Sequence, residues 1–376
     1  MKVLIVPSWY VTEDSPNNGI FFQEQAQALA QSGLEVSVIY PDLRFRLGEL
    51  RKGLFRVEDA PVPTWIYRRR TLTPFWERGR WPQRALMLER LYFNNCREYG
   101  RPDVVHLHSC RMGVEVLGLC RRHNLPLVYT EHYSGVTGNM NAALRYAFHK
   151  TLSGCDAALA VSRNLRTIMT GIRSDVRYLP NMVDTDRFTI QKPAGSGGFR
   201  FGAVGNLIPV KGFDLLLRAF AEALPRMDGA TLVIAGAGRL RGNLERMARE
   251  LNLAGRVEFS GFVKRGELPG FYHRLGCLIC SSRRETFGVT LIEALACGKP
   301  LIATRCGGPE SIVTPRNGLL VKNGDAGDLA RAMEEMYQHH KSYDPASLRL
   351  ECEEEFGSRR VCDKITEVYR RVLRNG

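Results

Sequence analysis

The chain has 376 residues, 44% of them apolar and 24% charged, a composition that fits two globular domains and excludes collagen-like, coiled-coil and disordered chains. Its formal net charge of +14 favours an anionic partner and is silent about the fold. No apolar run reaches the ~18–20 residues that span a bilayer, Met1–Val6 lacks the flanks of a signal peptide, and the ten cysteines lie singly, so a reduced, cytoplasmic protein is expected, at most peripheral at the inner face of the membrane.

Lys2–Val6 is a short apolar run that predicts a strand, followed by the polar, turn-like stretch Thr12–Gly19. Ile20–Ser32 reads as a helix closed by Gly33, and Leu34–Tyr40 as the next strand. Residues 44–84 interrupt the alternation. They hold 11 Lys or Arg against 4 Asp or Glu, interleaved with Trp65, Tyr67, Phe75, Trp76 and Trp81. This composition reads as an irregular, solvated insertion or as a contact for an anionic membrane surface. It would also suit single-stranded nucleic acid, but no recognition motif accompanies it, so no nucleic-acid partner is expected. Val104–Leu107, Leu127–Thr130, Ala157–Val161 and Val176–Leu179 predict further strands, with helices between most of them. His106 and His108 would share one face of their strand, without a third metal ligand in sight.

Lys192–Gly198 has linker composition, and the alternation then restarts. Strands are expected at Phe199–Val204, Thr231–Ala235, Val257–Ser260, Cys277–Cys280 and Pro300–Thr304. Helices are expected at Phe213–Leu224, Leu240–Leu251, Glu267–Arg274 and Val289–Cys297. Cys277 and Cys280 on a strand point to opposite faces, so they read as core thiols rather than zinc ligands. The predicted class is α/β with two doubly wound parallel sheets, and ligands are expected beyond the carboxyl ends of the strands, in an interdomain cleft.

The segment Ser281–Pro300 carries the chemistry. A strand ends, a turn bearing Glu285 follows, and a helix begins near Gly288. The free N–H groups and dipole of that helix start attract an anion such as a diphosphate, and Gly288 lets a phosphate approach the backbone. Glu285 and Glu293 could then accept sugar and ribose hydroxyls. On one helix they would lie about 12 Å apart along the axis, beyond the spacing of a glycosidase acid/base pair.

Glu285 and Glu293 with Phe287–Gly288 between them, and the Glu-Ala-x-Ala-x-Gly-x-Pro run that follows, resemble the signature of glycosyltransferase family 4. The loop Val204–Gly212, the segments Ile234–Gly238, Phe259–Val263, Arg305–Glu310 and Asn317–Val321, and the connection Pro180–Asp184 with Phe188 fall in the same order and spacing. The resemblance implies the GT-B fold, two Rossmann-like domains facing a cleft, and transfer with retained configuration. It implies an acceptor-binding domain at 1–185, a linker at 186–198, a nucleotide-sugar-binding domain at 199–357, and a basic helix at 358–376 crossing back to the first domain.

The resemblance also implies roles. Glu285 would hold donor-sugar hydroxyls and Glu293 the ribose hydroxyls. Lys211 would neutralise the diphosphate, with backbone amides of Phe287, Gly288 and Val289 nearby. Gly261 and Val263 would line the base pocket with backbone groups, and Gly307 and Gly308 would be turn structure. Gly19, in a loop resembling the family's glycine loop, would offer an amide to the donor phosphate. His132, after the strand ending near Thr130, would sit at the sugar. Asn206 stands where the family usually has Arg, which leaves Lys211 as the main diphosphate cation unless Arg283, Arg284 or another cation substitutes. The implied reaction is front-face attack, in which the leaving diphosphate takes the acceptor proton; no metal or other cofactor is expected. The donor would be a UDP-sugar in preference to a GDP-sugar, and the acceptor a saccharide or lipid-linked saccharide of cell-surface polysaccharide synthesis. The rival readings are a nucleotide-sugar epimerase or hydrolase and a non-catalytic nucleotide-sugar binding protein.

Overall fold

The short apolar runs of the sequence become strands buried on both faces. Val104–His108 and Leu127–Glu131 are buried at every position, as expected where helices cover both sides of a parallel sheet. The computed structural model describes the chain apart from residues 17, 46, 47, 49, 73–76, 192–197 and 376. Asn17, most of the linker composition (192–197), and Arg46, Glu49, Phe75 and Trp76 of the basic segment lie outside the described residues.

Up to residue 180 the elements are β1 (Lys2–Pro7), α1 (Ile20–Gln31), β2 (Glu35–Arg44), β3 (Gly53–Arg56), β4 (Thr64–Arg70), α2 (Glu77–Tyr99), β5 (Val104–His108), α3 (Gly113–Arg122), β6 (Leu127–Glu131), α4 (Ala142–Gly154), β7 (Ala157–Ala160), α5 (Arg163–Thr170) and β8 (Arg177–Tyr178). Beyond it follow β9 (Arg200–Val204), α6 (Phe213–Ala223), β10 (Thr231–Ala235), α7 (Arg241–Glu250), β11 (Val257–Gly261), α8 (Leu268–His273), β12 (Cys277–Cys280), α9 (Val289–Ala296), β13 (Leu301–Thr304), β14 (Gly318–Val321), α10 (Ala326–His339), α11 (Pro345–Phe356) and α12 (Ser358–Asn375).

The chain divides into two units. The first comprises Met1–Val161, Leu165–Pro180 and Val361–Gly376, and the second Ser162–Asn164 and Asn181–Arg360. The sheet of the first runs β3-β4-β2-β1-β5-β6-β7-β8, parallel except for the β3/β4 pair. The sheet of the second runs β11-β10-β9-β12-β13-β14, with every pair parallel. Strand order reverses between β1 and β5 in one and between β9 and β12 in the other. Such switch points open a crevice at the carboxyl ends of the strands. The second core gathers Phe201, Leu216, Phe220, Leu232, Ile234, Ile279 and Ile302, each such side chain contributing about 1.5–3 kcal/mol by leaving water. Within the first unit, α12 buries Val361, Ile365, Val368, Tyr369 and Val372, one apolar stripe at helical spacing.

The basic segment departs from the irregular insertion expected of it. β3, β4 and the start of α2 give it regular structure, and its cations are drawn into the fold. Arg68 is fully buried, its Nε 2.6 Å from Asp42 Oδ2 and its Nη2 2.8 Å from Glu13 Oε2. Arg84 is held 2.5 Å from Glu115, Arg44 bridges Asp14 and Asp42, and Arg56 meets Glu98. A buried guanidinium needs such partners because desolvating an unpaired charge costs several kcal/mol. The paired carboxylates come from outside residues 44–84, so counting charge within the segment overstates what it presents to solvent. Tyr67 is buried as well. Among the described residues no helix is long and apolar enough to cross a membrane.

Candidate active site

The donor-site residues expected in the second unit fall at one edge of its sheet. Asn206 and Lys211 follow β9, Gly261 ends β11 and Val263 lies just after it, Glu285, Phe287 and Gly288 follow β12, and Val289 and Glu293 lie in α9. The β9 and β12 loops flank the switch point, and across it Lys211 Nζ lies 2.5 Å from Glu285 Oε2. Burial disfavours the ammonium, but the Glu285 carboxylate outweighs it and holds the Lys211 pKa above its ordinary value. A persistent cation and a carboxylate thus stand side by side, both partly exposed, where an open sheet binds ligands.

The Glu285 turn is held from behind by the loop after β13. Glu285 N donates to Cys306 O at 3.3 Å, and Gly308 N donates to Glu285 O at 2.7 Å. Gly308 packs so closely that a Cβ there would lie 2.4 Å from Phe287 N. This agrees with a turn role for Gly307 and Gly308. Phe287 is buried, its ring 5.9 Å from Phe356, so its backbone is what it can offer a ligand. Gly288 caps α9 at φ 105, in the left-handed region; its carbonyl accepts from Leu291 N at 3.0 Å, and the N–H groups of Val289 and Thr290 lie ahead of the first intrahelical bond. Asn206 is exposed. Arg283 does not stand in for the missing family Arg: it is turned to Asp214, at 2.6 and 2.8 Å, and to Pro209 O. Arg284 is exposed.

Glu293 is buried, and its partners are residues that sequence reasoning passed over. Tyr272 OH donates to Glu293 Oε2 at 2.6 Å, and Arg265 Nη1 is paired with Glu293 Oε1. Arg265 in turn lies 5.0 Å from the centre of the Phe188 ring. A carboxylate offers about four lone-pair positions, and Tyr272 and Arg265 meet one oxygen of Glu293 each. The signal available in sequence was the burial of a Glu inside an apolar helix, which demands partners without naming them. Gly261 O accepts from Gly236 N at 2.7 Å, Val263 is half-buried, and Phe262 between them is exposed.

In the first unit, Gly19 caps α1, and Phe22 on that helix lies 4.9 Å from the His108 ring and 5.0 Å from the His132 ring. His132 follows β6 directly. Its N–H donates to Glu131 Oε1 at 2.8 Å, as does that of Tyr133 at 2.7 Å. The other oxygen, Glu131 Oε2, accepts from Cys110 N at 3.0 Å and from Tyr129 OH. Glu131, fully buried and also passed over in the sequence, is therefore the hub that fixes the backbone under His132. His108 Nδ1 lies 3.0 Å from His132 Nε2. His106 contacts Tyr369 OH and Thr130 Oγ1 at 2.6 and 2.7 Å. Burial pushes the His106 pKa down to about 3. Burial, then repulsion from His106 and His132, pushes His108 well below its usual range. Among the described residues no group of three or more His, Cys, Asp or Glu is arranged to hold a metal ion.

Two family models match the chain: that of glycosyltransferase family 4 over residues 19–187 and that of glycosyl transferases group 1 over residues 184–347. The chain belongs to glycosyltransferase family 4. This family 4 chain is 30% identical over 228 residues to the GDP-mannose-dependent alpha-(1-6)-phosphatidylinositol monomannoside mannosyltransferase of Mycolicibacterium smegmatis, covering 55% of this chain and 59% of that protein. It is 29% identical over 271 residues to the D-inositol 3-phosphate glycosyltransferase of Corynebacterium jeikeium, covering 63% and 65%. The match thus spans less than two thirds of these relatives. Among solved structures, sucrose-phosphate synthase from Thermosynechococcus elongatus superposes with a TM-score of 0.82 at 19% identity over 100% of both chains. HepE of Anabaena, solved in complex with UDP, gives 0.77 at 18% over 99% and 100%. At such identities the likeness concerns the fold, and the fold of this family 4 chain is GT-B.

Proposed function

We propose that this chain is a retaining glycosyltransferase that moves a sugar from a nucleoside-diphosphate sugar to a saccharide or lipid-linked acceptor without a metal ion. The observation that carries the reading is the Lys211–Glu285 pair at the β9/β12 switch point, beside the start of α9. A sugar phosphate places an anion next to a set of hydroxyls, and this pair places a cation next to a hydroxyl acceptor. Lys211 and the α9 amides stabilise the charge that grows on the leaving diphosphate, whose oxygen takes the acceptor proton. Glu285 orients sugar hydroxyls and is not the nucleophile. Glu293 accepts from the ribose, Gly261 and Val263 flank the base, and Asn206 adds an uncharged donor at the phosphates. From the first unit, Gly19 offers an amide to the phosphate and His132 serves the sugar.

The base is left to experiment between the two series that the relatives' names carry, GDP-mannose in one and UDP in another. The test is thermal stabilisation and transfer or slow hydrolysis with UDP- and GDP-sugars in the presence of a chelator, in wild type and in Lys211→Ala. One series should raise the melting temperature and release sugar of retained configuration, with both effects lost in the variant. Normal turnover by Lys211→Ala, or a strict requirement for added divalent metal, would overturn the reading. Binding without turnover on any acceptor would leave a non-catalytic nucleotide-sugar binding protein.

A further inference from the structure

We propose that the first unit carries a second ligand site: a cavity at the amino-terminal edge of its sheet takes a small, mainly apolar, neutral molecule bearing an N–H or O–H donor, which the side-chain amide of Asn95 recognises. The inference goes beyond the proposed function and does not depend on it.

The cavity has a volume of about 300 Å³ and lies where β1 and β2 begin, between the chain leading into β4 and the last turns of α2. Val3, Val36 and Val62 give it buried apolar walls. Glu35 and Pro61 also line it and are exposed, so a ligand reaches it without the fold opening. Small-molecule sites begin at about this size and are apolar with a few placed polar groups, and a cavity of about 150 Å³ already holds benzene. His132 follows the carboxyl end of β6, and Gly19 lies beyond the carboxyl end of β1. Both therefore stand at the opposite edge of the sheet, and the cavity is no part of the candidate active site.

Asn95 selects the occupant. Along α2 the buried positions include Met87, Leu88, Leu91 and Tyr92, and Asn95 continues that stripe at helical spacing, 1% exposed. An apolar side chain would suit the position better, because a buried amide is costly unless it is hydrogen-bonded. Asn95 instead lines the cavity, and its Oδ1 is buried with no hydrogen-bond partner among the described residues. A buried acceptor left unmet costs more than an ordinary hydrogen bond gains, and native folds hold few of them. The neighbouring hydroxyl of Tyr99, which also lines the cavity, does not meet it, because it donates to Glu98 Oε1 at 2.5 Å. A ligand that places a donor against Oδ1 removes the cost, while the rest of the molecule covers the valines. The polar residues buried in the walls are Asn95 and Ser37, both neutral, so a charged group drawn in among them would lose its hydration without gaining a counter-charge. The ligand class is therefore neutral.

The test titrates the full chain with indole, which carries an N–H, and with 1-methylindole, which has the same apolar body and no donor. Proton–nitrogen correlation spectra follow the side-chain amide of Asn95, assigned by its loss in Asn95→Leu. Indole should shift those signals and bind about tenfold to a hundredfold more tightly than 1-methylindole, the penalty for leaving a buried acceptor unmet. Asn95→Leu should erase that preference while still binding both probes. Binding of neither probe, equal affinity of wild type for the two, Asn95 signals unmoved by indole, or a preference that survives in Asn95→Leu overturns the proposal. If Asn95→Leu does not fold, Asn95→Ala takes its place, and the wild-type comparison of the two probes decides by itself. The titrations need no turnover, so a chain without transferase activity would sink the proposed function and leave this inference to be judged alone.

Discussion

Glu285 does more for Lys211 than neutralise it. At 2.5 Å it is what keeps the pKa of a largely buried ammonium above its ordinary value, against the pull of desolvation. In Glu285→Gln the desolvation loses its main opponent, so the Lys211 pKa should fall from its raised value toward or below its usual 10.5. Donor affinity measured against pH should then lose its alkaline plateau earlier in the variant than in wild type; coincident curves would show that Lys211 does not depend on Glu285. Glu293 stands in the opposite situation, a carboxylate 2% exposed whose charge is tolerated because Arg265 and Tyr272 meet it. Removing one partner of a buried pair costs about 3–5 kcal/mol, so Arg265→Met should lower stability by about that much. Adding Glu293→Gln to that variant should recover part of the loss, because the uncompensated charge is gone. Denaturant melts of the single and double variants check both steps, and a further loss in the double variant would refute the account.

Strand β5 makes the first unit sensitive to acid. His106 is buried neutral with its pKa pushed down to about 3, and His108 is pushed well below 6.5. A depressed histidine pKa means that the unfolded chain binds protons more readily than the folded one below pH 6.5, so stability falls as pH drops from there toward the folded values. His106 alone should cost about 2 kcal/mol by pH 5. Melting temperatures between pH 7 and 5 should show the decline, and His106→Gln should flatten it; a variant that follows wild type throughout would remove His106 as the cause. The periodicity of the sequence made β5 and its neighbours legible, because a strand buried on both faces is written as a contiguous apolar run. The turn bearing Glu285 and the start of α9 at Val289 were legible for the same local reason, a glycine before an apolar helix. The partners that tune these elements were not. Arg265 reaches Glu293 over 28 positions and Glu131 gathers Cys110 from 21 positions away, and no local pattern encodes such pairings.

At the scale of the whole molecule, the net charge of +14 is less available than its sum suggests. Arg44, Arg56, Arg68 and Arg84 answer Asp14, Asp42, Glu13, Glu98 and Glu115 within the first unit. The cations of the basic segment that remain exposed include Arg51, Lys52, Arg69 and Arg70. Along α2, the exposed positions Leu86, Arg90, Phe93 and Arg97 recur at helical spacing, so apolar and basic groups share one face. An anionic bilayer attracts each nearby Lys or Arg by about 1 kcal/mol, and salt screens such exposed charges over about 10 Å at 0.1 M. If the acceptor is lipid-linked, we propose that these groups bring the chain to it. The protein should co-sediment with vesicles of phosphatidylglycerol and phosphatidylcholine, and much less with phosphatidylcholine alone, and raising the salt should release it. Replacing Arg51, Lys52, Arg69 and Arg70 together by Ala should weaken that binding by about 10³-fold, the equivalent of four such contacts, at an unchanged melting temperature. Arg68→Ala separates the two kinds of cation: its charge is spent on Asp42 and Glu13, so it should reduce stability while leaving the vesicle affinity of the folded protein as it was. Equal binding to charged and neutral vesicles, or no effect of the fourfold replacement, would assign the surface charge to something other than a membrane.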